Sequence, residues 1–448
     1  MTTPDSLGKA LEKQGVKYLL PTYSDMHGRS KTKMVPVAHY EKMLKGSELF
    51  TGAAVDGVPQ EVNDEEVSSH PDPATCTVLP WRPDTAWFAS NLYCQGKPFE
   101  ACSRNILNRV MAQLDELGYG LNAGIEAEFC VLKDTPGGGY APFSGRPNLE
   151  KPAYDTARLL DNMFWMDELV SAMNNLGWGV YSLDHEDAIG QFEIDFNYFE
   201  ARTMADRFVF FRMMADEIAR KHGGFASFMP KPFPDRAGSG AHYNLSLFDL
   251  VDKNNLFEER NDPRGKGLSK LGYQFIAGVL RHLPAICAVV APTVNSYKRL
   301  IPRGSRAGFT WAPIFVCYGG NNRTNAVRIP LGGGRIELRL ADAASNPYLG
   351  FAMVVAAGLE GIRENLDPGA PHEDNMYLKT PAELKKLKVT RLPQSLGEAL
   401  DAFESDPLSK SVMGPAMFRS WLDYKREEWR AYSVSVTEWE KDRYLKFF

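Results

Sequence analysis

The sequence predicts an α+β protein of two domains, a small strand-rich one followed by a larger one whose sheet lines a polar cavity. Three observations predict it. The chain of 448 residues is too long for one ordinary core. Residues 51–100 are rich in Pro, Gly and Asp with short extended pieces between, the pattern of a strand-rich unit. Beyond residue 103, helical periodicity alternates with short runs whose polar residues recur at every second position.

Taken in order, residues 5–14 read as a short helix and Val16–Tyr23 as a strand, followed by a turn at Asp25–Arg29. A second strand is expected near Lys33–Val37, a helix over 38–45, and an extended piece at Thr75–Leu79. Ser103 is expected to cap a helix that runs to about Leu117 and stops at Gly118, which sets the boundary between residues 1–102 and 103–448. Further helices are expected at Ala157–Leu176, Ala201–Lys221, 268–289, Ala341–Asn365 and Leu396–Ala402, with an amphipathic helical tail over Met417–Trp439. Trp178–Leu183 and Ala226–Met229 read as extended. Pro136–Gly139 and Gly332–Gly334 read as turns, and neither a Walker A motif nor GxGxxG is present.

The polar faces carry the chemistry. In an extended strand Arg335, Glu337 and Arg339 share one face, and Ile336, Leu338 and Leu340 the other. The pattern recurs with Glu126 and Glu128, with Gln191, Glu193 and Asp195, and with His242, Asn244 and Ser246. One such strand is an ordinary solvated face, but four with apolar backs point to a shared polar cavity. Carboxylates gathered there repel one another unless cations lie between them. Glu126, Glu128, Glu186, Glu193, His242 and Glu337 form an oxygen-rich set with one imidazole, suited to Mg²⁺ or Mn²⁺. Arg299, Arg323, Arg328, Arg335 and Arg339 supply guanidinium forks for carboxylate and phosphate, which suggests an ATP or acyl-phosphate site. Gly238-Ser239-Gly240, just before His242, is read as backbone that a ligand can approach closely.

Composition narrows the classes. A net charge of −5 gives no support for nucleic-acid binding, and no apolar run of membrane-spanning length stands out. Six cysteines without CxxC spacing and a polar Met1–Gln14 segment read as a cytoplasmic protein with reduced thiols.

Over nearly its full length the chain resembles the glutamine synthetase family. The resemblance is carried by Gly124–Phe129, His185-Glu186 through Glu193, Met229–Pro232 with Gly238–His242, Asn295–Leu300, Asn322-Arg323 through Pro330, Arg335–Arg339 and Ala344–Tyr348. It implies an N-terminal β-grasp domain, a catalytic domain with a curved antiparallel sheet flanked by helices, and a ring homo-oligomer with active sites between subunits. It implies that Glu128, Glu186 and Glu193 hold one divalent cation and Glu126, His242 and Glu337 a second, two or more per site. Gly238, Arg299 and Arg339 would bind L-glutamate; Arg323 and Arg328 would contact ATP phosphates and the transferring phosphoryl group. Asn244, Ser246 and Arg335 would lie at the nucleotide, with Arg299, Arg323 and Arg339 acting in catalysis. The implied reaction phosphorylates the γ-carboxylate of glutamate with ATP, after which an amine displaces phosphate.

Departures from the family pattern concern the amine. In place of the family's Pro-Gly-Tyr-Glu-Ala-Pro loop the chain has Pro302–Pro313, which puts Trp311 where the glutamate would stand. The family's Phe-Asp-Gly-Ser-Ser motif, supplied by a neighbouring subunit, reads Phe50-Thr51-Gly52-Ala53-Ala54. Ammonium needs oxygen partners for all its protons, whereas Trp311, Thr51 and Ala54 offer apolar and cation–π contact suited to an alkylammonium. Methylamine is therefore the expected acceptor, as in the family's glutamate–methylamine ligase branch. The alternatives are ammonium, as in glutamine synthetase, or a larger amine; a different loop alignment would take the acid from elsewhere, such as Asp56. Asn244 stands where many members have a second histidine, and Ala237 replaces an asparagine before Gly-Ser-Gly. Tyr377, near a position adenylylated in some members, has different flanks and is read as an ordinary exposed tyrosine.

Overall fold

A computed structural model describes residues 4–146, 149–305 and 308–448, so Arg306 and Ala307 of the long Pro302–Pro313 loop lie outside the described residues. The first sheet is built on Tyr18–Ser24, which runs parallel to the 13-residue strand Arg82–Cys94. Val67–Pro71 and Thr77–Leu79 pair antiparallel with that long strand, and Glu48–Phe50 pairs with Val67–Pro71. Arg82–Cys94 escapes the sequence reading because it is buried on both faces and Ala86-Trp87-Phe88-Ala89 shows no polar alternation. Its period of two still sorts the side chains. Ala86 and Phe88 pack with Leu11, Tyr40 and Met43 of the helices Pro4–Lys13 and Tyr40–Leu44, while Trp87 and Ala89 enter the main core beside Ile106 and Phe210.

The second sheet runs in the order Val180–His185, Gln191–Phe196, Tyr119–Asp134, Ala241–Asp249, Ile336–Leu338, Val327–Ile329, Tyr318–Gly320. All neighbours on this path are antiparallel except the last pair. Its apolar face packs on Ala201–Lys221, Lys270–Val290 and Pro347–Arg363. Lys270–Val290 is long and apolar enough to cross a membrane, but 83% of its apolar window is buried inside the protein, as a core helix.

Several boundaries differ from expectation for local reasons. The helix expected at Ala157–Leu176 breaks at Asn162 into Thr156–Asp161 and Met163–Asn175, where the Asn162 side chain donates to Arg158 O and accepts from Trp165 Nε1. Pro347–Arg363 starts six residues later than Ala341, because Asn346 caps it and Pro347 occupies its first turn. Ser103 is the first helical residue of Ser103–Asp115 rather than its cap; its hydroxyl donates to Asp25 O, across to the first domain. The tail is Pro407–Ser433, kinked at Gly414 (φ 75°) before Pro415, followed by a separate helix Glu438–Tyr444.

A buried ion-pair network ties the two sheets together. Arg104 donates to both oxygens of Asp206 at 2.9 and 3.0 Å, to Asp72 at 3.0 Å and to Asn91 at 3.1 Å, while Tyr348 donates to Asp206 at 2.7 Å. Every charge there has an opposite charge or a donor.

Candidate active site

Strand register assembles the polar face. Glu193 stands directly opposite Glu128, His242 opposite Glu126, and Glu337 opposite Asn244 on one side and Arg328 on the other. Because each strand buries its apolar set against the helices, no one-residue slip is tolerated, and the acids must share the open face. Ligand atoms of Glu126, His242 and Glu337 lie within 4.8 Å of one another. His242 Nδ1 is 3.0 Å from Glu126 and 3.5 Å from Glu337, and Nε2 is 3.8 Å from Glu128. The imidazole thus joins the two acid sets.

The second group within 4.8 Å is Asp184, Glu186 and Glu193. Asp184 is absent from the sequence expectation, which ended its strand at Leu183; the strand runs to His185, and the period of two puts Asp184 on the face of Glu186. Glu128, expected with Glu186 and Glu193, lies opposite Glu193 and accepts from Gly240 N at 2.8 Å and Gln191 Nε2 at 3.3 Å. Gln191 also donates to Gly238 O and Ser239, which fixes the Gly-Ser-Gly segment to this strand.

The electrostatics fit a cation site. Burial first, then the charges of Glu128, Glu126 and Glu186, push Glu193 up to about 11. Burial and Glu128 push Glu186 up to about 8, and burial and Glu126 push Asp195 to about 7. Burial would raise Glu126 as well, but hydrogen bonds from His242 and Asn244 outweigh it and hold the carboxyl at about 2. The buried Asp184 Oδ1 has no hydrogen-bond partner. Hard oxygen donors, mutual repulsion and an orphaned carboxylate oxygen together suit divalent cations.

Guanidinium groups enclose this set. Arg339 and Arg328 both donate to the fully buried Glu337, and Arg328 also reaches Asn321 at 2.7 Å. Arg299 is buried against Leu340 O (3.0 Å), Arg339 O (3.1 Å) and His242 Nε2 (3.4 Å). Arg335 is exposed and donates to Asn244 Oδ1 at 3.1 Å; Asn244 in turn donates to Glu126 at 2.8 Å. Ser246 lies two residues on, half-buried on the same face, and Arg323 is exposed. In the Gly-Ser-Gly segment the backbone runs close against the site residues: a Cβ on Gly240 would lie 2.7 Å from His242 Nε2, 2.8 Å from Arg299 and 3.0 Å from Glu128.

The amine-pocket residues are not gathered in the same way. Trp311 is half-exposed with φ 58°, and its carbonyl accepts from Arg339 at 3.3 Å. Thr51 and Ala54 are exposed in the first domain, where Thr51 donates to Glu66 at 3.4 Å. Asp56 sits 3.6 Å from His27 and accepts from Tyr424 at 3.4 Å, in a cleft of about 1280 Å³ between the first domain and the helices Ala201–Lys221 and Pro407–Ser433. Tyr377 is half-buried rather than exposed: it packs under the Trp311 loop and donates to Ala312 O at 2.6 Å.

Comparison with known proteins agrees with this arrangement. Residues 100–444 match the model of the glutamine synthetase catalytic domain. The chain is 41% identical over 447 residues, the full length of both, to the glutamate–methylamine ligase of Methyloversatilis universalis. It is 38% identical to a glutamine synthetase of Rhizobium leguminosarum bv. phaseoli, over 96% of this chain and 97% of that one. Among solved structures, the GmaS/ADP complex in its first conformation superposes with a TM-score of 0.91 at 37% identity, covering 99% of this chain and 100% of that one. Apo GmaS without ligand gives 0.89 at 36% identity, over 98% and 99%. With its catalytic-domain match and its full-length relatives, the chain belongs to the glutamine synthetase family.

Proposed function

We propose that this protein is an ATP-dependent ligase that joins methylamine to the γ-carboxylate of L-glutamate, giving γ-glutamylmethylamide, ADP and phosphate. The observation that carries the chemistry is the strand register that sets Glu128 against Glu193 and Glu126 against His242, ringed by Arg299, Arg328 and Arg339. The full-length likeness to a glutamate–methylamine ligase supports the amine.

In this reading Glu128, Glu186 and Glu193, with Asp184 beside them, hold one divalent cation, and Glu126, His242 and Glu337 another. Bound Mg²⁺ or Mn²⁺ neutralises ATP phosphates and makes the γ-phosphorus open to an anionic nucleophile. Arg299 and Arg339, with the Gly238 backbone, orient glutamate so that a γ-carboxylate oxygen faces that phosphorus. Both guanidinium groups are fixed by carbonyls or by Glu337, so little reorganisation accompanies binding. Arg323, exposed, and Arg328 take up charge on the transferring phosphoryl group, while Asn244, Ser246 and Arg335 flank the nucleotide. The carboxylate oxygen bonds to phosphorus as ADP leaves. The bound methylammonium gives up one proton, its nitrogen then bonds to the γ-carbonyl carbon, phosphate leaves, and the nitrogen loses a second proton.

Trp311 favours methylamine over ammonium by apolar and cation–π contact; a buried methyl adds only about 0.8 kcal/mol, so loss of acidic partners for ammonium does the rest. Thr51 and Ala54 of a neighbouring subunit complete the pocket in a ring homo-oligomer of a cytoplasmic enzyme, with the domain boundary at residue 103. The test is phosphate release by purified protein with glutamate, ATP and Mg²⁺ across an amine series. Methylamine should be fastest; faster turnover with equal ammonium would make the enzyme a glutamine synthetase.

A further inference from the structure

We propose that Tyr377 is a positioning residue for the acceptor amine, clamping the Trp311 loop from below so that the indole keeps its place over the amine. The inference rests on the amine-pocket reading of Trp311 given above.

Trp311 has φ 58°, in the left-handed region that a bulky L residue rarely adopts. Such a conformation persists only where its surroundings hold it. Two neighbouring carbonyls are held here from different directions. Trp311 O accepts from Arg339 at 3.3 Å, and Ala312 O accepts from Tyr377 Oη at 2.6 Å. Arg339 is anchored on Glu337, inside the carboxylate site. Tyr377 is anchored elsewhere. It belongs to the short turn Met376–Leu378, capped by Asn375, which accepts from Tyr377 N at 3.1 Å. Its neighbour Met376 is fully buried in a small core with Ile314, Phe315, Cys317, Leu384 and Val389, and Met376 N donates to Thr324 at 3.2 Å. The loop is therefore pinned between the glutamate-binding arginine and a rigid turn outside the reaction centre. Burial raises the phenol's pKa, so the hydroxyl keeps its proton and remains a donor at neutral and mildly alkaline pH.

Without the hydroxyl, Ala312 O loses its donor and the strained Trp311 backbone relaxes towards an ordinary φ, carrying the indole away. Methylamine loses its apolar contact. Ammonium, which uses little of that contact, does not.

The experiment compares steady-state kinetics of Tyr377→Phe and wild type with methylamine and with ammonium, alongside melting temperature. Phenylalanine keeps the ring and its packing. The expected result is a rise of about fourfold in the KM for methylamine, the loss of one buried methyl's contact. The kcat, the KM for ATP and the ammonium activity should stay unchanged, so the methylamine-to-ammonium ratio falls. An unchanged ratio, or an equal fall in kcat with both amines, overturns the proposal. Trp311→Glu runs beside it. If that variant shifts the ratio and Tyr377→Phe does not, only the clamp is wrong; if neither shifts it, the amine-pocket reading falls as well.

Discussion

Two buried charge clusters in this molecule follow opposite rules. At the domain junction, Arg104 is matched by Asp206 and Asp72, with Asn91 and Tyr348 filling the remaining bonds. Burial alone would lower the Arg104 pKa, yet Asp206 more than compensates and raises it. On the open face of the second sheet, Glu193 faces Glu128 directly and its carboxyl is driven to about 11, while Asp184 keeps an oxygen without a partner. A balanced cluster stabilises the fold as it stands. An unbalanced one repels itself when its acids are ionised, and that repulsion is relieved by protonation or by a cation placed between them. The difference separates charges that are satisfied within the fold from charges that are not, which is why the second cluster is the one proposed to bind cations.

The comparison breaks most readily at the acids. Glu337→Ala should lower ATP turnover by about 10³-fold, since it removes a proposed metal ligand and leaves Arg328 and Arg339 without their carboxylate. Unchanged phosphate release would end the metal assignment. Arg104→Ala should instead cost about 3–5 kcal/mol of stability by leaving Asp206 buried and unpaired, with kcat of the folded fraction preserved. Denaturant titration and active-site-normalised kinetics measure both. Mg²⁺ or Mn²⁺ should raise the melting temperature of the metal-free protein, and Glu193→Gln should shrink that rise while leaving the metal-free protein no less stable. An equal rise in the variant would show that the repulsion has no link to cation binding.

The smallest effect expected belongs to a balanced histidine. His282 is held by Asp406 and Glu360, both at 2.8 Å. Burial would lower its pKa, but these two acids outweigh burial and raise it. A raised folded-state pKa adds stability that is complete below the unfolded value of about 6.5 and is lost as pH climbs through the folded value. His282→Asn should therefore destabilise more at pH 6 than at pH 9, and equal losses at the two pH values would contradict the pairing.

Much of the site was legible because a strand's period of two is visible in the residues themselves. Glu126 with Glu128, and Arg335 with Glu337 and Arg339, need only an extended backbone to share a face. Asp184 is missed because the expected strand ends two residues too early. Arg82–Cys94 was missed because burial on both faces erases alternation. Tyr377 was misjudged because nothing local says that a distant loop folds over it.

The residues alone determined which side chains could share a face and which donor types were on offer, since local backbone geometry and side-chain chemistry need no partner strand. Only the tertiary structure decided that Glu193 meets Glu128, that Asp184 joins them, and that Arg339 and Tyr377 grip the loop of Trp311. Those facts depend on register and chain crossing, which are set by the burial of apolar faces far apart in the sequence.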